Sequence, residues 1–168
     1  MRRFLVLGVA LALVGCSSDG PRVVPKEYRK PIKQAAQECP ELTPELLAAQ
    51  IDQESKFTPD AVSPAGAQGI AQFVPETWQR WGQDLTGDGV ADPFNAKEAI
   101  DAQARLMCFL IFEANTSGID GDPLDLALAA YNAGWSQVVR YDGIPPFKET
   151  KAYVKRIRDR QGSYVFEG

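Results

Sequence analysis

Histidine is absent from all 168 residues. That excludes histidine-based triads and histidine-ligated metal sites, and it leaves carboxylates as the acid–base groups. Basic charge is not in excess: the formal net charge is −4, which argues against a nucleic-acid partner with its need for a basic stripe. Long apolar runs are missing too. The run from Phe4 to Val14 is too short to span a bilayer as a permanent helix. Repeats, low-complexity tracts and convincing strand-like alternation are all lacking, so any sheet should be very small. Cysteine is scarce, at three.

What remains is a globular composition, 45% hydrophobic and 24% charged, at a length that suits one domain plus appendages. Met1-Arg2-Arg3, the apolar run and Leu13-Val14-Gly15-Cys16 resemble a bacterial lipoprotein signal. The resemblance implies a signal peptide over 1–15, cleavage before Cys16 and lipidation of its thiol. The chain would then be exported to the cell envelope and anchored to a membrane. Residues 16–28 read as a polar tether. Without Arg2 and Arg3 the net charge falls from −4 to −6. Cys39 and Cys108 are left as an even pair, which in an exported chain favours a disulfide over two separate buried thiols.

The chain is organised around Leu46 to Gln72. Thr43-Pro44 starts a helix, with a capping hydroxyl and then proline at the first helical position. Leu47, Ile51 and Glu54 follow at i, i+4 and i+7, on one face. A carboxylate on a buried face near the negative end of a helix keeps its proton to higher pH, as a general acid requires. Periodicity alone also allows a solvated Glu54 at a fraying helix end. Beyond Pro59 comes Ser63-Pro64-Ala65-Gly66-Ala67-Gln68-Gly69-Ile70-Ala71-Gln72, where Gly66 and Gly69 permit turns and close approach.

Glu54-Ser55, the Ser63–Gln72 stretch and Ala130-Tyr131-Asn132-Ala133-Gly134 resemble the successive motifs of the soluble lytic transglycosylase (SLT) family. Ile70-Ala71 stands where the family has Leu-Met. The likeness runs from about Cys39 to Ile157. It implies a mainly α, lysozyme-like (goose-type) domain over 29–165, acting on peptidoglycan as a monomer and requiring no cofactor. It also implies Glu54 as the one catalytic acid and base. The expected cut is at the MurNAc-β-1,4-GlcNAc bond, leaving 1,6-anhydro-MurNAc ends. Tyr131 would orient Glu54 or the substrate's acetamido group. Ser55, Ser63, Gln72 and Asn132 would hydrogen-bond glycan. Glu149 falls in a segment resembling the closing motif, Pro-x-Glu-Thr then Tyr-Val at Tyr153-Val154. It either lines the cleft or complements a helix dipole. The rival readings are a hydrolytic muramidase and a non-catalytic glycan-binding lipoprotein.

Other helices are expected over 26–38, from Pro75 through Trp81, from an Asn95 cap, over 124–132, over 136–141, and from an extended 144–150 entry to Arg160. Trp78 and Trp81 share a face, suited to the core or to a sugar ring. Asp84, Thr86, Asp88, Val90 and Asp92 fit a calcium-loop register, although Asn95 stands where the bidentate acid belongs. A turn-rich surface loop has the same composition.

Overall fold

The computed structural model describes residues 20–167. The signal peptide and Cys16 lie outside them. The described chain runs β1 (Arg22–Val23), α1 (Lys26–Ala35), α2 (Pro44–Ser55), α3 (Pro75–Trp81), α4 (Ala96–Thr116), α5 (Pro123–Ala133), α6 (Trp135–Arg140), α7 (Lys148–Arg160), a 3-10 turn and β2 (Tyr164–Val165). No described helix is long and apolar enough to cross a membrane.

Local sequence explains most of the boundaries. Thr43 caps α2 by accepting from the Leu46 N–H at 3.1 Å, ahead of proline at the first turn. Asn95 caps α4 and Asp122 caps α5 in the same way, each through the side chain. α4 is the centre of the fold. Its 21 residues pack against α1, α3 and α5, while α2 lies on α1 and α7. Leu46, Leu47 and Ile51 of α2 meet a core built with Ile100, Met107 and Ile111 of α4, Leu128 of α5 and Ile157 of α7. The Cys39–Cys108 disulfide ties the α1–α2 link to α4 across 69 positions. Closing so long a loop contributes on the order of 4 kcal/mol by the chain-entropy estimate.

Three expectations change. β1 pairs in parallel with β2, and Val24 is fully buried. The packed body therefore takes in 22–28, assigned above to the tether; Val24 fills the seam where the two ends of the described chain meet, while Val23 stays exposed. α1 stops at Ala35, short of the expected residue 38, and it holds Pro31 inside it. The extended entry to α7 stops at Phe147, so Glu149 and Thr150 belong to the first helical turn.

Candidate active site

α2 ends in a left-handed turn. Lys56 and Phe57 have φ of 55° and 61°, so the chain leaves the helix sharply and folds back beside it. Gly69 makes the return possible. Its φ is 74°, and a Cβ there would sit 1.8 Å from the Pro93 carbonyl oxygen, so only glycine lets the two loops meet. Two consecutive carbonyls then pin the loop from both sides. Ser55 Oγ donates to Ile70 O at 2.7 Å, and Tyr131 Oη donates to Ala71 O at 2.8 Å. Gln72, itself at φ 55°, donates through Nε2 to Gly69 O and Ala61 O.

The pinned loop and helices α2, α3, α4, α5 and α7 line a cleft of about 730 Å³. Glu54 lies on its wall. Neighbouring atoms crowd its carboxyl, yet an edge of the side chain stays open to the cleft. Burial is the main reason its pKa rises from 4.5 to about 7; the Tyr153 hydrogen bond opposes the rise, and the negative charge of Glu149 adds to it. Tyr153 Oη donates to Glu54 Oε1, and Gln50 Nε2 donates in turn to Tyr153 Oη at 3.2 Å. Burial also holds the phenols of Tyr153 and Tyr131 well above the usual tyrosine range, with Glu54's charge pushing the same way. Both stay neutral hydroxyls at any working pH.

Ser63, Gln72, Tyr131, Asn132 and Glu149 all line the cleft with Glu54. Ser55 does not. Its hydroxyl is occupied on both sides, donating to Ile70 O and accepting from the Thr58 N–H, so it builds the loop rather than facing a ligand. Tyr131 likewise spends its proton on Ala71 O; the hydroxyl bonded to Glu54 is that of Tyr153. Asn132 Oδ1 accepts from Thr150 Oγ1 at 2.8 Å, which links α5 to α7. Trp78 is core, donating to Ala91 O, whereas Trp81 opens on the cleft against Phe109.

Sequence reasoning missed Gln50 and Arg156 as parts of the site, and it placed Tyr153 in the closing-motif segment without giving it a role. Arg156 Nε donates to Gln53 Oε1 at 2.9 Å, and both residues line the cleft. A signal existed for Gln50, which stands one turn before Glu54 on the same face.

The candidate calcium loop folds around backbone donors. Asp84 accepts from the N–H groups of Thr86, Gly87 and Gly89, which hold its carboxyl below the ordinary range. Asp88 and Asp92 each accept from a backbone N–H two residues on, and Asn95 is occupied in capping α4. Among the described residues no three acids, cysteines or histidines are placed to hold a metal ion.

The pattern of the transglycosylase SLT domain matches residues 31–154, about three quarters of the sequence. The chain belongs to the SLT domain family. Its helical body is the family's lysozyme-like fold: a soluble lytic transglycosylase from Escherichia coli superposes with a TM-score of 0.65 at 22% identity, covering 81% of this chain and 24% of that one. A Pseudomonas aeruginosa lytic transglycosylase, described as an inactive glutamate-to-glutamine variant, superposes at 0.63 with 25% identity over 82% of this chain and 24% of that one. By sequence the SLT domain is 37% identical over 107 residues to a membrane-bound lytic murein transglycosylase F of Maricaulis maris, covering 64% of this chain and 22% of that protein. A namesake from Thiobacillus denitrificans is 38% identical over 89 residues, covering 53% of this chain and 17% of that one. The chain thus spans about a fifth of the length of the curated relatives it matches.

Proposed function

We propose that this SLT domain is a peptidoglycan lytic transglycosylase that cuts the MurNAc-β-1,4-GlcNAc bond through Glu54 alone. The observation that carries the reading is a carboxyl on the wall of an open cleft, kept protonated to about neutral pH by burial and held in place by one tyrosine. Glu54 donates its proton to the glycosidic oxygen as the bond from C1 breaks. The carboxylate so formed accepts the proton of the muramoyl C6 hydroxyl as that oxygen bonds to C1. The proton count returns to its start, no water is consumed, and the product end is a 1,6-anhydro sugar. Positive charge developing at C1 is met by the substrate's own acetamido group and by neutral dipoles in the cleft. Asn132, Ser63 and Gln72 are the polar groups placed to meet glycan, and Trp81 offers a face for a sugar ring.

The names of the relatives, which are membrane-bound murein transglycosylases, support the substrate class and an envelope location. The lipid anchor on Cys16 and a monomeric state complete the proposal. Glu149, on the cleft rim, is the observation on which a hydrolytic reading would rest, since a second carboxylate is what activates a water. Product masses separate the two. Digests of purified peptidoglycan are expected to yield anhydro ends, lighter by one water than reducing ends. Reducing ends alone would establish the muramidase instead.

A further inference from the structure

We propose that Gln50 is a positioning residue for the cleft acid: its side-chain amide fixes the direction of the Tyr153 hydroxyl, and through it the hydrogen bond that Glu54 receives. The inference rests on Glu54 being the acid of the site. Gln50 is fully buried, as is Met107 behind it. Its Nε2 lies 3.2 Å from Tyr153 Oη and 3.5 Å from Met107 Sδ. A thioether sulfur accepts and cannot donate, so the NH₂ edge of the amide must face it. With that edge forward, the amide also donates to the tyrosine oxygen. The phenol's single proton is then left for Glu54 Oε1. Reversed, the amide carbonyl would oppose the sulfur, acceptor against acceptor, and would draw the phenol proton away from Glu54. Met107 therefore sets the amide, the amide sets the phenol, and the phenol sets the carboxyl.

A purely packing role does not explain the residue. Gln50 Oε1 is buried with no hydrogen-bond partner, and an unmade acceptor costs stability. Methionine has similar length and would fill the same space without that cost. The surroundings of Glu54 also leave Gln50 a specific task. α7 presents Tyr153, Glu149 and Arg156, α5 presents Tyr131, α3 presents Arg80, and α2 itself presents Gln53. Among the described residues, Tyr153 alone hydrogen-bonds the Glu54 carboxyl. Remove the amide, and the tyrosine oxygen is free to accept from a protonated Glu54. The bond can then run backwards, which favours the neutral acid, so Glu54 keeps its proton to higher pH.

The test is a carbon-13 NMR titration of the Glu54 carboxyl in the full domain, its resonance assigned by its loss in Glu54→Gln. Gln50→Met is expected to raise the titration midpoint by about half a pH unit or more, with a melting temperature equal to or above the parent's. Tyr153→Phe raises the midpoint as well, and adding Gln50→Met to it moves the midpoint no further. An unmoved midpoint in Gln50→Met overturns the proposal. So does an equal movement in the Tyr153→Phe background, which would mean that Gln50 acts on Glu54 without the phenol. Gln50→Leu serves if the methionine variant does not fold. The titration reads the acid whether or not glycan is cut. A failure of the transglycosylase reading would show instead as missing anhydro products from the parent.

Discussion

Two glutamates sit inside this domain, and the fold uses them in opposite ways. Glu98 is 1% exposed in the first turn of α4, near the positive end of a helix. Its Oε1 accepts from the Leu85 N–H at 3.0 Å and its Oε2 from the Asp92 N–H at 2.8 Å. Each oxygen has a fixed donor, and the two bonds clamp the ends of the 85–92 loop. Glu54 sits at the negative end of α2, with one side-chain donor and a cleft in front of it. Burial is common to both. What separates them is the supply of donors and the direction of the helix. An acid given two backbone amides is a fastener; an acid given one tyrosine and an open edge is left a proton to lend.

The largest effect expected is on turnover. Glu54→Gln keeps the shape of the side chain and its place beside Tyr153 but removes the proton. Digestion of sacculi is expected to fall by at least about 100-fold, with glycan binding retained in a pull-down. Parental digestion by this variant would erase the contrast with Glu98. The converse change tests the other side. Glu98→Ala strands the two loop amides and is expected to cost about 2–3 kcal/mol in urea unfolding, while turnover per folded molecule stays within a few-fold. A catalytic loss as large as that of Glu54→Gln would show that the loop, too, serves the chemistry.

The smallest effect is a pH dependence of stability. Glu54 holds its proton in the folded state up to about pH 7, whereas its ordinary value is 4.5. The folded protein therefore binds more protons than the unfolded chain between those values, and stability falls as pH rises through that window. Below the window the acid is neutral in both states and the loss vanishes. Glu54→Gln removes the dependence. It is expected to stabilise by on the order of 1–3 kcal/mol at pH 8 and by almost nothing at pH 4, read as melting temperatures at the two pH values. An equal gain at both would mean that burial does not hold the proton.

How far each part was legible follows from the range of the forces involved. The starts of α2, α3, α4 and α5 were readable because capping side chains and first-turn prolines act within four residues. Glu54 was readable in part, since spacing along α2 allows it the apolar face, and the family motifs favoured that place over a solvated helix end. The part Tyr153 plays was not readable, because nothing local distinguishes a tyrosine that packs from one that reaches an acid 99 positions earlier. The β1–β2 seam joins the two ends of the described chain and left only a Val-Val pair as its trace.

By itself, then, the sequence determined the helices, a glutamate at the apolar face of α2, the pair of cysteines and the glycine that lets two loops touch. These depend on periodicity, capping and φ, which neighbouring residues decide. Only the tertiary structure decided that Tyr153 rather than Tyr131 holds the acid, that Ser55 braces the loop instead of facing the cleft, and that the acidic loop closes on Glu98. A hydrogen bond commits to one partner among several within reach, and which of them is within reach is known only after the helices have packed.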